Sequence, residues 1–549
     1  MIGALLVAVF ILSLIINRIF DEIKFLKLRE ELGLRGPPTD LFIGNCRYFY
    51  KIAIERGIEA SPYICAELVH KFGSTFGSYI GREFEIVTTD PAIIKEVFIS
   101  QFRNFVDRRR LSINRTYPTL DGLLQVGHKG TYGVGWKEIR SVISVIFTSA
   151  SMKKMHLMFH DQIDNLIDVL RNKCRINNGK MDIYGEYQAM TMDMIARCAL
   201  GQNISCIKDR NNDYYSCART FFANLYFEKS LIFRLAIFIP IFRHLRQFTN
   251  FGRAEKIIIN KLSASIRERE RDRADGIIRK LPDVIDLILA ENEKRVENGK
   301  IPLHHDVVVS NAWALFIAGY ETTSSALAYA SYLLAKHPEV QATLHEEIHS
   351  TFGDADTIDY ERVMRLPYMV ILTHFSIFTS RSFQHAVFCE TLRFYPPVTS
   401  LTGRTCIKET VIGGKIRVPV GVGVVAPVHA VMWNEENFVR PREFIPERFL
   451  NDKRASAWSA TYLPFGIGPR NCVGARFAEM EFKTVLAAVI RCFVIELDPD
   501  HIELHTVMGN VLQSPKGNQL FVRLVERRTG AEEEWESLGA DSGIDDCEI

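Results

Sequence analysis

Apolar residues recur along this chain in three patterns, each predicting a different element. Met1 to Ile16 carries no charged side chain, and Arg18, Lys24, Lys27 and Arg29 follow closely. With Arg18 snorkelling, the run extends through Asn17-Arg18-Ile19-Phe20 to roughly the 20 residues a membrane helix needs. A cleaved signal peptide would place positive charge before the run and small residues after it, and neither occurs. Basic residues beyond the span put the bulk of the chain on the cytoplasmic side. Arg35-Gly36-Pro37-Pro38 then makes a stiff break, so residues 1–20 read as an anchor and 21–38 as a basic, proline-containing hinge. The second pattern, Asn311 to Leu334, is apolar on all faces and rich in Ala and Leu, which predicts a helix through the protein centre. The third, Leu231 through Phe242, is apolar apart from Arg234 and fits a buried helix pair.

Composition narrows the classes. The chain has 549 residues, 47% hydrophobic and 11% aromatic, enough for a large core. Between residues 36 and 528 there is no Pro/Gly/Ser-rich linker, repeat or low-complexity tract, so one large two-lobed domain (39–528) is expected. A formal net charge of +2, without a basic stripe interleaved with aromatics, argues against nucleic acid as a partner. Eleven cysteines without a C-x-x-C pair suggest neither a disulfide framework nor a zinc site, and point to a reducing compartment. The sequons at Asn114 and Asn203 would then stay unmodified. Residues 529–549, with Glu532-Glu533-Glu534, read as a solvated acidic tail. Gly421-Val422-Gly423-Val424-Val425-Ala426 matches a loose dinucleotide fingerprint, but prolines flank it and no helix is expected to follow, so it reads as a strand pair.

The chemistry gathers in a few short motifs. Phe465-Gly466-Ile467-Gly468-Pro469-Arg470-Asn471-Cys472-Val473-Gly474 wraps glycines around one cysteine just before a helix-forming run. Glycine lets backbone approach a flat ligand, and a helix N-terminus favours thiolate over thiol. A thiolate is a strong axial donor to haem iron. A buried structural cysteine is the plain alternative, and the full F-G-x-G-x-R-x-C-x-G pattern weighs against it. Ala318-Gly319-Tyr320-Glu321-Thr322-Thr323 interrupts the apolar helix with a glycine and an acid–alcohol pair. Hydroxyls at 323–325 can satisfy themselves one turn back, whereas Glu321 beside Thr322 calls for another account: a kinked helix opening a pocket for dioxygen and passing protons to it. Glu390-Thr391-Leu392-Arg393 places an acid and a base on one helix face, and Phe444-Ile445-Pro446-Glu447-Arg448-Phe449 adds a second arginine. Trp136-Lys137-Glu138-Ile139-Arg140 sets two carboxylate donors one turn apart, or is an ordinary amphipathic helix.

These motifs occur in the order found in the cytochrome P-450 family of haem-thiolate monooxygenases, which the chain resembles. The phrasing around Phe316–Ser325 and Trp136–Ser141 looks most like the animal microsomal clan of drug- and steroid-oxidising enzymes. The resemblance implies a mainly α (α+β) fold, with a large helical lobe, a smaller β-rich lobe, and haem between a long central helix and the cysteine loop. It makes Cys472 the axial ligand to haem b iron, with Phe465 and Gly466 in the haem loop. Trp136, Arg140, Arg404, Arg470 and, less closely matched, Arg108 would bind the propionates. Thr322 would stabilise the activated dioxygen and Glu321 would feed the proton relay. Glu390, Arg393 and Arg448 would form a structural lock. The expected reaction inserts one atom of O2 into an apolar lipid, steroid or xenobiotic. Since no other nucleotide-binding loop is present, electrons would come from NADPH through cytochrome P-450 reductase, with cytochrome b5 as a second candidate partner. The endoplasmic reticulum membrane is the expected address, with Leu231–Phe242 dipping toward lipid. Arg110–Thr131 and Val507–Ser514 would wall the substrate pocket. The rivals are a reductase-independent haem-thiolate isomerase or dehydratase, and an inactive haem protein.

The second rival rests on residues 370–384. Removing them leaves Leu366-Pro367-Tyr368-Met369 joined to His385-Ala386-Val387-Phe388-Cys389-Glu390-Thr391-Leu392-Arg393, an unbroken family sequence. Val370 can be encoded by a codon opening GT, and Phe383-Gln384 by TTT-CAG, the boundaries of a short intron. The segment therefore reads as a retained intron, and transcripts that all encode it would refute that reading. If translated, it is expected to disturb the Glu390 lock.

Overall fold

The computed structural model describes residues 2–108, 116–224, 231–277, 279, 282–353, 357–365, 369–372, 375–378, 382–399, 402–450, 459–509 and 512–527. Residues 110–115 and 510–511 of the expected pocket walls, 373–374 and 379–381 of the insertion and the acidic tail from 529 lie outside them. The predicted central helix extends beyond both expected ends, from His305 to Lys336, and the His304 ring accepts from Asp306 N at 3.2 Å at its start. Lacking a polar face, it is buried along nearly its whole length. Against it packs the helix Ile183–Leu200, also buried almost throughout. Gly319 makes their approach possible: a Cβ there would stand 2.8 Å from Ile195 Cδ1. The ~1 kcal/mol that a mid-helix glycine costs is offset by this close packing. The helix runs unbroken through Ala318–Thr323, so the expected kink is absent. Thr322 Oγ1 donates to Ala318 O at 2.6 Å, Ser324 Oγ donates to Tyr320 O at 3.0 Å, and the backbone ladder stays whole.

The helices Phe383–Phe394 and Ala475–Cys492 also pack on the central helix and complete the helical lobe. The smaller lobe contains a four-stranded sheet ordered Thr75–Ile80, Glu83–Thr88, Gly423–Val425 and Gly403–Thr405. Gly423–Val425 runs parallel to the second strand and antiparallel to the last. It lies inside that sheet rather than forming a strand pair of its own, and a short helix, Val428–Met432, does follow it. Pro427 occupies the N-cap position of that helix, a place where a missing N–H costs nothing.

At the N-terminus, the helix Ile2–Glu31 carries straight through the expected hinge start at residue 21 and ends near Gly33, which has φ +67°. Its second half is clamped to the sheet. Tyr79 OH lies 3.2 and 3.0 Å from the carbonyls of Phe25 and Leu26 and accepts from Arg29 N at 3.0 Å, while Glu22 pairs with Arg82 at 3.0 Å. The stretch after it is also held, since Gly77 N donates to Arg35 O at 2.8 Å and Arg29 Nη1 to Pro37 O at 2.6 Å. The side chains of residues 1–5, 7, 8 and 11 are outside the described set, and among the described residues no helix is long and apolar enough to cross a membrane. Leu6, Phe10, Leu12, Leu14 and Phe20 are exposed on this helix.

The described residues of the 370–384 segment begin as a strand pair. Met369–Leu372 and Phe375–Phe378 form an antiparallel pair that joins no other sheet. The next helix opens on Ser382, whose Oγ accepts from His385 N at 3.0 Å, while the Glu347 carboxylate accepts from Phe383 N and Gln384 N at 2.7 and 2.8 Å. In a chain lacking 370–384, Pro367-Tyr368-Met369 fall in register with Ser382-Phe383-Gln384, giving Glu347 two backbone N–H groups again. A proline suits such a helix start. That shortened chain is expected to show a Tm equal to or above that of the full chain, because Tyr368 and Met369 take the places of Phe383 and Gln384 and the Glu347 contacts at the helix start are kept; a lower Tm would show that the segment is integral.

Candidate active site

The cysteine loop is shaped by Gly466 and Gly468, at φ +71° and +76°. A Cβ on Gly468 would lie 2.1 Å from Phe98 O, so only glycine lets the loop seat there. Cys472 N donates to Phe465 O at 2.8 Å, closing the loop, and the helix Ala475–Cys492 begins three residues on. The Cys472 side chain, deep in the protein, is exposed to an internal cavity of about 350 Å³. Phe465, Gly466, Trp136, Arg108, Arg140, Arg404 and Arg470 line the same cavity, as do Glu321 and Thr322 of the central helix. Burial pushes the Cys472 thiol up in pKa; the Gly474 N–H, Arg140 and Arg108 pull it down without outweighing that. The Gly474 N–H at the helix start acts in the direction expected from sequence, against the effect of burial.

Three of the four arginines around Cys472 can be traced to uncharged oxygens alone among the described residues. Arg140 donates to Asn471 O at 2.7 Å and Asn471 Oδ1 at 3.1 Å. Arg108 donates to Leu124 O and Arg470 O at 3.3 and 3.0 Å, and Arg404 to Gly403 O at 2.9 Å. The fourth, Arg470, reaches the carbonyls of Val106 and Val126. Desolvation pushes Arg404 down in pKa and Arg108 to about 10, with neighbouring cations adding to the effect. The buried Nε atoms of Arg108 and Arg404 and Nε1 of Trp136 have no hydrogen-bond partner among the described residues. A group carrying two carboxylates and a metal would find donors in these arginines and Trp136 and a ligand in Cys472. Haem is such a group.

On the wall that the central helix contributes, Glu321 accepts from Tyr184 OH and, at 3.1 Å, from Gln188 Nε2. Burial raises its pKa to about 7 despite those two bonds. Tyr184 and Gln188 were not singled out from sequence; the available signal was a run of Tyr, Gln, Thr and Asp inside an otherwise apolar helix. The lock residues stand apart from the cavity. Glu390 accepts from Arg393 Nε and Nη2 at 2.7 and 2.9 Å and from Arg448 Nε at 3.1 Å. The same helix turns Phe388 and Leu392 to the cavity, and Phe388 meets the loop's Phe465 at 6.0 Å between ring centroids. The insertion thus leaves the lock assembled, contrary to the expected disturbance, because it rejoins the fold at Ser382, ahead of Glu390.

The family model described as Cytochrome P450 matches residues 52–522. The chain belongs to the cytochrome P450 family. Among its relatives, cytochrome P450 3A29 of Sus scrofa is 30% identical over 85% of this chain and 86% of its own. Cytochrome P450 3A28 of Bos taurus is 28% identical over 85% of each chain. A Caenorhabditis elegans protein named as cytochrome P450 CYP13A2 is 31% identical over 90% of this chain and 94% of its own. This P450 is therefore a haem-thiolate monooxygenase that uses O2, and its helical lobe with small sheets is the family's fold.

Proposed function

We propose that this P450 is a membrane-tethered monooxygenase of apolar organic molecules that draws electrons from NADPH through a cytochrome P-450 reductase, with cytochrome b5 as a second donor. The observation that carries the reading is the convergence on one cavity of Cys472, arginines bonded to uncharged oxygens, and the Glu321-Thr322 pair. Cys472 would ligate the iron, and Trp136, Arg108, Arg140, Arg404 and Arg470 would hold the propionates. Bound there, a haem with thiolate ligation supplies the dioxygen chemistry. The rest falls to this chain's own groups. Glu321, with a pKa of about 7, holds or yields a proton near neutral pH at an oxygen that Tyr184 and Gln188 fix in place. Thr322 Oγ1 can turn from Ala318 O and donate into the cavity. The apolar wall keeps bulk water out, so protons arrive by this path. Residues 39–528 would be the catalytic domain. Exposed Leu231, Ile239, Ile241 and Phe248, with the apolar start of the first helix, would sit in the endoplasmic reticulum membrane.

The test is the full chain reconstituted with NADPH–cytochrome P-450 reductase and a panel of lipids, steroids and xenobiotics under isotope-labelled dioxygen. Labelled product that requires the reductase supports the reading; product without reductase, or none across the panel, overturns it. Two variants probe the relay. Thr322→Ala is expected to lower product per NADPH about tenfold, with NADPH use continuing and peroxide released. Glu321 is protonated below about pH 7 and a carboxylate above it. Product per NADPH should therefore fall as pH rises through that value, and Glu321→Gln should flatten the profile.

A further inference from the structure

Five arginines line the cavity, and four of them surround Cys472. The fifth, Arg246, stands elsewhere. It is buried, its Cζ lies 5.5 Å over the Phe251 ring, its Nη1 donates to Thr119 Oγ1 at 3.2 Å, and its Nη2 pairs with Glu255 at 2.5 Å. The chain around Thr119 rests on the first half of the central helix: Gly122 abuts Ser310 O and Ala314, and Leu123 N donates to Asn311 Oδ1 at 2.9 Å. Thr322 lies eight residues beyond Ala314 on that helix, about 12 Å of axial rise. Much of the remaining cavity wall is apolar, with Ala314, Leu315 and Ala318 in it.

We propose that Arg246, with Thr119, is a substrate-anchoring site selecting apolar molecules that carry an oxygen acceptor (carboxylate, ketone or hydroxyl) at the end away from the carbon oxidised. A cation placed in an apolar wall is costly unless it has partners, and a guanidinium directs several donors in fixed directions. The Glu255 bond is short and charge-assisted and holds Arg246 in place. The 3.2 Å bond to the neutral Thr119 hydroxyl is the weaker of these two. A substrate oxygen can take its place on Nη1, and the freed hydroxyl can donate to the same oxygen. Anchoring at one end presents the other end of an elongated substrate to Thr322, so the site sets position of attack as well as affinity. The inference rests on the monooxygenase reading and names the substrate class of that cavity.

Three matched probes test it on the haem-loaded full chain: lauric acid, 2-dodecanone and dodecane, titrated by the shift of the Soret band. At least one oxygen-bearing probe is expected to bind about tenfold or more tighter than dodecane, the value of a hydrogen bond to a charged donor. Tight binding of lauric acid alone assigns a carboxylate; tight binding of the ketone as well assigns any oxygen acceptor. Arg246→Met combined with Glu255→Gln, which leaves no unpaired buried carboxylate, should abolish the preference and spread product over more positions. Equal affinity of the wild type for all three probes overturns the proposal, with or without a folded variant, as does a variant that weakens all three alike or keeps the preference. The reduced, CO-treated spectrum separates this failure from that of the monooxygenase reading, because it reports the thiolate-ligated haem whichever probe binds.

Discussion

Replacing Cys472 with alanine is expected to remove the thiolate Soret band of the reduced, CO-treated protein and all reductase-dependent product, while the polypeptide stays folded. The side chain points into the cavity, and the bond that shapes its loop, Cys472 N to Phe465 O at 2.8 Å, belongs to the backbone. Gly466, Gly468 and the carbonyls bonded to Arg470 are untouched, so the change in stability of the haem-free chain should stay within about 1 kcal/mol. The contrast is Cys389, which is buried, 3.4 Å from His385 Nε2, and faces away from the cavity lining. Cys389→Ala should retain the band. A Cys472→Ala protein that keeps the thiolate band would move the ligand elsewhere and undo the assignment; a Cys389→Ala protein that loses it would do the same.

The sequence was most legible where local pattern and tertiary role coincide. An apolar stretch without a polar face has only one place to go, and His305–Lys336 is the buried axis. Gly468 was readable because glycine at that point has a steric cause, the approach to Phe98 O. Partners brought from distant segments were not readable. Nothing near Glu321 announces Tyr184 or Gln188, and nothing near Cys472 announces that desolvation outweighs two arginines and a helix terminus. The kink expected at Ala318–Thr323 failed for a related reason: Gly319 serves the packing of Ile195 rather than a break in the ladder. Likewise the first helix runs past residue 20 because Tyr79 and Arg82, on a later hairpin, hold its second half.

Glu390→Ala should be the most destabilising single substitution in this P450, by about 3–5 kcal/mol, the range for removing one partner of a buried ion pair. Glu390 and Arg393 are both fully buried. Arg393 has five N–H donors, and each is used: two on Glu390 at 2.7 and 2.9 Å, and three on the carbonyls of Met432, Pro441 and Glu443 at 3.2, 2.8 and 3.1 Å. Glu390 also accepts from Arg448 Nε at 3.1 Å and Ile445 N at 2.9 Å. Alanine would leave the buried Arg393 guanidinium, and Arg448 beside it, without the carboxylate they share. Glu390→Gln keeps two polar atoms there but lacks the charge and places donors against donors, so it should fall between wild type and alanine. Arg393→Lys should not restore stability, because an ammonium cannot serve five directions at once. Denaturant midpoints at unchanged slope give the energies. Haem retention gives the functional reading, since Phe388 on the same helix packs against Phe465 of the cysteine loop. A Glu390→Ala chain as stable as wild type would mean the three-residue lock contributes orientation alone, and its haem content should then be normal as well.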